Sequence, residues 1–216
     1  MVTQENIVNK VREIMNEAAK DNLPEEGFLE EDTLSLETYI ISCIPDALSL
    51  IINSSHKCVN PKNGTSLAPT PNSDGTGYVI LPDDFVSLVA FKMQGWKRIV
   101  SQAYTTDSEI YKAQCNENTR AGVCKPVCIL SVNPEGKRIL EYYSVKGSPV
   151  IELFVYEAGY NPEEGLNIGE SDSLFQALCY MVASLVYSIF ENQTTAKEMQ
   201  TISINLLNDK ENVAAN

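Results

Sequence analysis

Apolar residues recur at helical spacing near the beginning of the chain. The first stripe lies within residues 3–20, and a wider one runs from Leu34 to Ile52. An acidic connector, Asp21–Asp32, separates the two. Pro45 falls inside the second stripe, so we expect a kink or a break there, with Pro45 in a new first turn.

Two more helices are predicted near the end of the chain. Ser171 or Asp172 is placed to cap a long apolar helix that continues to about Phe190. A last helix is predicted to open with a capping box at Thr195–Glu198. The chain therefore has helical patterns at both ends.

The middle of the chain is built around one apolar run, Phe85–Met93. Both of its alternating faces are mostly apolar, which predicts a central strand covered on both sides. Pro82 precedes the run and Gln94–Gly95 follows it, so both of its ends are predicted to be turns. Trp96–Tyr104 is then expected to pair with this strand as a hairpin.

Three further strand patterns follow, at residues 125–132, 138–145 and 149–156. Short, turn-rich segments join them, so neighbouring strands are predicted to be antiparallel in a small barrel or sandwich. Residues 107–116 are predicted to form a short helix or an irregular excursion before them.

These patterns predict an α+β protein. The N- and C-terminal helices would pack as a helical bundle with an inserted antiparallel β-barrel or sandwich. The predicted parts are N-terminal helices at residues 1–56, a long polar loop at 57–77, the β domain at 78–157 and C-terminal helices at 171–210. The loop reaches back to about residue 53 and is rich in Ser, Thr, Asn, Pro and Gly, which is typical of a mobile crossover or an ordered interface arm.

Composition and charge narrow the function classes. The chain has 216 residues and carries 16 basic against 29 acidic residues, a net charge of −13. Such a balance argues against a surface that grips phosphates. The N-terminus shows no secretory signal pattern. Residues 173–190 lack charge but contain Gln and Ser, so we predict a buried core or interface helix and no membrane partner.

The six cysteines are predicted to be reduced, packed thiols in a cytoplasm. His56, Cys58, Cys124 and Cys128 could be imagined as one metal site, but the usual C-x₂-C spacing is missing. The sequence therefore predicts no metal, no cofactor and no required disulfide.

Catalytic patterns are sparse. His56 is the only histidine, and it lies in the polar loop, so nucleophile–imidazole systems have no evident base. Asp83–Asp84 is better explained as a turn than as a carboxylate pair. Glu141 and Glu152 interrupt apolar strands and are expected to face solvent; as a converging pair they would serve a hydrolase. The sequence favours a protein that is not an enzyme.

A second alternative is a receptor- or carbohydrate-binding protein. Trp96, Tyr142, Tyr143 and Tyr156 could present stacking surfaces for sugars. Core and cross-strand packing is the favoured interpretation of these aromatic residues.

The stretch LPDDFVSLVAFKMQGWKR, from Leu81 to Arg98, carries a family resemblance together with three later segments. They are Ser108–Gln114, Lys125–Val127 and the strand Arg138–Tyr143. In pattern and order these segments resemble the head–tail adaptors of short-tailed phages, and more narrowly the tail-tubular-A-like ring proteins of crAss-like phages. The likeness covers roughly residues 34–190.

The resemblance implies a structural virion protein. In this setting the two alternatives above would be a virion-associated hydrolase and a receptor- or carbohydrate-binding tail component. Its copies would form a homododecameric ring below the portal protein and connect the capsid to the tail, in contact with adjacent tail or ring proteins. DNA would pass through the central channel without specific binding. The protein would be assembled in the host bacterial cytoplasm and reside in the virion, at the head–tail connector.

The last predicted helix supplies the candidate interface. A helix of about 12 residues is marginal without packing, so its apolar side chains need a partner surface. That surface is either the same subunit or, as the resemblance implies, the portal protein or a neighbouring copy. The candidate oligomer or portal interface consists of Met199, Ile202, Leu206 and Leu207, followed by a polar tail after Asn208.

Overall fold

A computed structural model describes residues 1–20, 30–54, 58–145 and 147–208. Within these residues the chain forms five helices and two β-sheets, which confirms the predicted α+β class. The helices are α1 (Gln4–Lys20), α2 (Glu30–Ser54), α3 (Glu109–Gln114), α4 (Ser173–Ile189) and α5 (Gln193–Asn208). The strands are β1 (Pro61–Asn63), β2 (Pro69–Pro71), β3 (Gly77–Ile80), β4 (Phe85–Met93), β5 (Ala103–Thr105), β6 (Cys128–Val132), β7 (Arg138–Tyr142) and β8 (Ile151–Ala158).

The chain divides into two compact units. The helical unit consists of Met1–Asn60 and Gly159–Asn216, and the β unit consists of Pro61–Ala158. Asn60 and Gly159 are the residues at which the chain leaves the helical unit and returns to it. The Asn60 side chain donates to the Gly159 carbonyl at 3.2 Å.

Helix α4 is the centre of the helical unit. It contains no charged residue and contacts α1, α2 and α5. Asp172 caps it, as predicted, by accepting the Leu174 N–H at 3.1 Å. Its fully buried residues include Ala177, Leu178 and Val182, so its apolar surface is covered on several sides.

Helix α2 runs past Pro45 without a break, so the predicted break with Pro45 in a new first turn is wrong. A proline inside a helix costs about 3 kcal/mol. Buried residues on both sides of Pro45 belong to one core with α4: Ile40, Ile44, Ala47, Leu48 and Ile51. Burying a large aliphatic side chain contributes about 1.5–3 kcal/mol, so the packed stripe outweighs the proline penalty.

Helix α5 begins two residues before the predicted capping box. Asn192 accepts the Thr195 N–H at 3.3 Å, so Asn192 acts as the cap. Thr195 itself is buried within the helix, and its prediction as the cap is wrong.

The three-stranded sheet has the order β1-β8-β4, so β4 lies at an edge and β8 is central. The prediction that β4 is a central strand buried on both faces is therefore wrong. Register shifts follow Phe85, Leu88 and Lys92. The first two shifts each add a residue to β4, so its buried residues Phe85, Leu88 and Phe91 are three residues apart. Met93 is also buried, whereas Val86 is 38% exposed.

The second sheet has five strands in the order β2-β3-β7-β6-β5. The β6–β7 hairpin over residues 133–136 is antiparallel, as predicted. The predicted hairpin between β4 and Trp96–Tyr104 is reduced to one antiparallel bridge, between Phe91 and Val100. The rest of the predicted pairing is wrong, because β5 pairs in parallel with β6.

The predicted β7–β8 hairpin is also wrong, since the two strands belong to different sheets. Ser144 adopts a left-handed φ of 58°, and its hydroxyl donates to the Ala121 carbonyl, so the chain turns away after β7. In the described residues neither sheet closes into a barrel, which corrects that part of the prediction. The two sheets share one core, in which Val79, Leu140 and Tyr142 lie with Phe91 and Phe154.

The segment predicted as a long loop contains two short strands. β1 pairs with β8, and β2 pairs with β3, both antiparallel. Residues 55–57 of this segment lie outside the described residues. The strands carry proline and few apolar side chains, so periodicity could not reveal them.

Candidate interaction surface

The four candidate interface residues of α5 lie in different environments. Met199 and Leu207 are 8% and 9% exposed and belong to the core of the helical unit. Leu206 is partly buried against the same core, whereas Ile202 is 38% exposed. The structure therefore leaves only Ile202 substantially available to a partner. The polar tail after Asn208 lies outside the described residues.

Two buried hydroxyl groups join α5 to α4. Ser184 donates to the Ala196 carbonyl at 2.8 Å, and Ser203 donates to the Ala177 carbonyl at 2.7 Å. A buried hydroxyl without a partner would cost free energy, so these bonds fix how α5 lies on α4. Helix α5 is thus part of the helical unit's own core.

The solvent-facing side of α5 is nearly uncharged. Lys197 and Glu198 are the only charged residues of the helix, and their charges cancel. Ile202 and Ile204 are 38% and 40% exposed and lie on opposite borders of this side, because residues two apart in a helix point in different directions. Exposed amide and hydroxyl side chains lie between them. Depletion of charge is a property of the centres of protein interfaces. Ile204 was missed by the sequence reasoning because it lies outside the periodic apolar stripe.

A second exposed apolar group lies at the end of α4. Ile189 and Phe190 are each 48% exposed, and the Phe190 ring contacts the Tyr39 ring of α2 at 5.2 Å in an edge-to-face arrangement. Their position next to a helix end gave no sequence signal of exposure.

The net charge is distributed unequally between the two units. Residues 1–60 and 159–216 contain 6 basic and 19 acidic residues, which gives −13, whereas residues 61–158 contain 10 of each, which gives zero. The helical unit thus carries the whole net charge of the chain.

The two glutamates considered for hydrolysis have separate structural roles. Glu141, on β7, accepts hydrogen bonds from Ser131 at 2.5 Å and from Tyr143 at 2.6 Å, so it is half-buried and does not face solvent freely as predicted. Burial, together with this carboxylate, raises the pKa of Tyr143 far above its usual range. Glu152 is exposed, as predicted, and pairs with Lys92 at 2.6 Å in the other sheet.

Asp84, which was predicted with Asp83 to form a turn, also makes an ion pair and a hydrogen bond with two strands. Its carboxylate pairs with Lys62 at 2.7 Å and accepts a hydrogen bond from Tyr156 at 3.2 Å. These contacts hold β1 and β8 against the turn that precedes β4. The carboxylate is therefore structural in its visible contacts.

The four aromatic residues proposed as a stacking surface are buried. Trp96, Tyr142, Tyr143 and Tyr156 are between 1% and 5% exposed, so they offer no open ring face to a sugar. Core packing accounts for them, including an edge-to-face contact of Trp96 with Phe91 at 5.8 Å.

The cysteines do not converge on a metal-binding geometry. Cys58, Cys115 and Cys124 are exposed, so the prediction that all six cysteines are packed is wrong for these three. Cys128 is buried, and His56 lies outside the described residues. Burial raises the pKa of the Cys128 thiol well above its usual range, which disfavours the thiolate that a metal needs. Within the described ranges no group of three His, Cys, Asp or Glu side chains could hold a metal ion.

One open hollow of about 320 Å³ lies in the β unit, beside Asn72, Thr76 and Tyr142. Its ionisable side chain is Tyr142, whose hydroxyl donates to the Thr70 carbonyl at 3.3 Å and whose pKa burial raises to about 12. A tyrosine held in this way is a poor general base near neutral pH.

By length and composition, Leu36–Ser54 in the described part of the chain could cross a membrane, and 33% of this window is buried. Its buried stripe packs in the core with α4, whereas Ser42, Asp46 and Ser49 are exposed. This pattern is that of a helix packed on one side.

No protein-family model matches the chain, and no curated protein sequence matches it at a significant level.

Proposed function

We propose that this chain is a structural virion protein, the head–tail adaptor or ring protein that its sequence resembles. Copies of it would form a ring below the portal protein, connect the capsid to the tail and surround a DNA channel. This proposal places no catalytic step on the chain.

The observation that carries the proposal is the division of the chain. Both ends of the sequence contribute to the helical unit, and the continuous middle segment forms the β unit. A helical bundle with an inserted antiparallel β domain is the plan that the adaptor resemblance implies. In this proposal the helical unit mediates assembly and the β unit lines or decorates the ring.

The surface of the helical unit supports the same function. A chain with a net charge of −13 repels its own copies, so contacts between copies are favoured at faces that carry no excess acid or that meet a basic surface. The solvent side of α5, which is bordered by Ile202 and Ile204, carries no excess acid. Met199 and Leu207 have a supporting role here, because they hold α5 in place from below.

The proposed partners are further copies in a homododecameric ring, the portal protein and adjacent tail or ring proteins. DNA would pass without specific binding, and the acidic balance of the chain supports this. The proposed location is the connector of the virion, after assembly in the host bacterial cytoplasm.

Electron microscopy of the purified protein, alone and mixed with its cognate portal protein, tests the proposal. We expect ring-shaped particles with a central channel, and stacking of these rings on portal rings. Single subunits under both conditions, at concentrations where the portal assembles, would refute the assignment.

A further inference from the structure

Two segments of the β unit that contain no acidic residue meet on its surface. Residues 85–106 and residues 118–134 lack Asp and Glu altogether. The Lys97 N–H donates to the Val123 carbonyl at 2.8 Å, so the two segments lie side by side. Lys97, Arg98 and Lys125 are all exposed around this contact.

These three residues, the basic patch, differ from the other described cations of the β unit. Lys62, Lys92, Lys112, Arg120 and Lys137 each pair with a carboxylate within 4.0 Å. Arg138 donates to the Phe85 carbonyl at 2.8 Å and lies over its ring. Among the described residues the basic patch has no carboxylate partner, and Ile99 beside it is 55% exposed.

The basic patch is suited to an acidic protein surface. Three unpaired cations beside an exposed isoleucine combine charge with apolar area. This combination is found where the polar rim of a protein interface meets its apolar core. A nucleic-acid footprint requires more phosphate contacts, commonly 6–10 for tight binding. The chain itself supplies an acidic surface, because its helical unit carries a charge of −13.

One end of that helical unit exposes carboxylates next to backbone segments that are hydrogen-bonded to each other. Val2 and Leu166 exchange two backbone hydrogen bonds, and Tyr160 donates to the Gln4 side chain at 3.1 Å. These bonds bring the first turn of α1 beside the 160–170 segment. Glu5 and Glu163 are exposed there, and the 159–172 segment contains no basic residue.

We propose that the basic patch of one copy binds the acidic helical unit of a second copy, at the end that bears Glu5 and Glu163. The contact joins two different surfaces, so it is heterologous, and repeated contacts of this kind generate a ring when the rotation closes. This inference rests on the proposed ring function and specifies how neighbouring copies recognise each other. Complementary charge steers the encounter and fixes the register, and salt weakens it.

Charge reversal in the full chain tests the contact. The variant Lys97→Glu with Arg98→Glu should raise the dissociation constant for self-association at least about tenfold. The matched control, Lys112→Glu with Lys137→Glu, changes the net charge equally on exposed lysines elsewhere in the β unit and should assemble like the wild type. Circular dichroism and Trp96 emission verify that each variant is folded.

A second pair of changes identifies the partner surface. Glu5→Lys with Glu163→Lys should also assemble poorly alone, and an equimolar mixture with the Lys97→Glu, Arg98→Glu variant should recover mixed contacts. Unimpaired assembly of the patch variant would overturn the inference while leaving the ring function intact. If the mixture does not recover self-association, the acidic end is not the partner surface. If the wild type retains short duplex DNA and the Lys97→Glu, Arg98→Glu variant does not, the patch binds nucleic acid instead. A wild-type chain that never self-associates would refute the ring function itself.

Discussion

The helical unit carries 19 acidic and 6 basic residues, whereas the β unit carries 10 of each. Cations pair with carboxylates in both units: Lys10 and Arg12 do so in the helical unit, and five cations do so in the β unit. The basic patch of the β unit has no such partner among the described residues. In the proposed ring, unlike surfaces of neighbouring copies would meet, and the charge difference between the units would favour that contact.

The cores of the two units differ as well. The β unit buries aromatic rings around Phe154, whereas the helical unit buries aliphatic and small side chains around α4. The single tryptophan, Trp96, lies in the β unit and is 3% exposed. Its emission therefore reports on the β unit, while far-UV circular dichroism is dominated by the four longer helices of the helical unit.

The largest expected effect is in the aromatic core. Phe154 is fully buried, and its ring contacts those of Phe91 and Tyr156 at 5.3 and 5.6 Å. Phe154→Ala should lower the free energy of unfolding by about 3–5 kcal/mol, measured by denaturant titration of Trp96 emission. Val86→Ala, on an exposed position of β4, should change it by less than about 0.5 kcal/mol. Equal losses of unfolding free energy in the two variants would mean that β8 does not lie at the centre of this core.

In the helical unit, Met199 and Ile202 separate folding from assembly. Met199→Ala should cost about 2–5 kcal/mol, because Met199 is buried against α4. Ile202→Ala should leave stability within about 0.5 kcal/mol and weaken self-association. Denaturant titrations followed by circular dichroism, with sedimentation of each variant, measure both quantities. Full assembly of Ile202→Ala would remove the α5 face from the interface.

A smaller effect is expected at the turn between α4 and α5. Glu191 has a left-handed φ of 60°, and the Asn192 N–H donates to the Tyr187 carbonyl at 2.9 Å, which is the Schellman arrangement that favours glycine. Glu191→Gly should stabilise the helical unit by about 1 kcal/mol. Glu198→Gly, inside α5, should destabilise it by about 1 kcal/mol. Thermal melts measure both, and destabilisation by both glycines would contradict this geometry.

The smallest effect is in the alkaline range. Burial raises the pKa of Tyr142 to about 12, above the unfolded value of about 10. The folded β unit binds the Tyr142 hydroxyl proton more tightly than the unfolded chain does. The resulting stabilisation is complete below pH 10 and is lost as the pH rises through the folded pKa. Tyr142→Phe should therefore flatten the alkaline loss of stability, measured by denaturant titrations on both sides of pH 10. Tyr104→Phe, on half-buried β5, is the control, and an unchanged slope in Tyr142→Phe would contradict the pKa direction.

The sequence predicted the helical unit better than the β unit for a physical reason. Helical periodicity depends on near neighbours, so α4 and its Asp172 cap could be recognised from spacing alone. Strand partners depend on distant segments and on bulges. The apolar run of β4 looked central because both alternating faces are apolar, but its bulges leave Val86 exposed at a sheet edge.

The candidate interface was predictable only in part. Apolar residues at helical spacing mark the buried face of a helix. The pattern therefore identified Met199 and Leu207, which are core residues. Exposed positions such as Ile204 and the basic patch follow no period. The absence of Asp and Glu around Lys97 was readable in the sequence, but its neighbour Lys125 was brought near only by the Lys97–Val123 backbone bond.

Native mass measurement of the purified full chain at low ionic strength tests the central claim, that unlike surfaces of neighbouring copies build a closed ring. The expected result is one dominant mass, a fixed integer multiple of 23.9 kDa, which falls to the monomer as salt approaches about 1 M, where the Debye length is about 3 Å. A monomer under all conditions, or an open-ended ladder of masses without a preferred size, would contradict the closed ring.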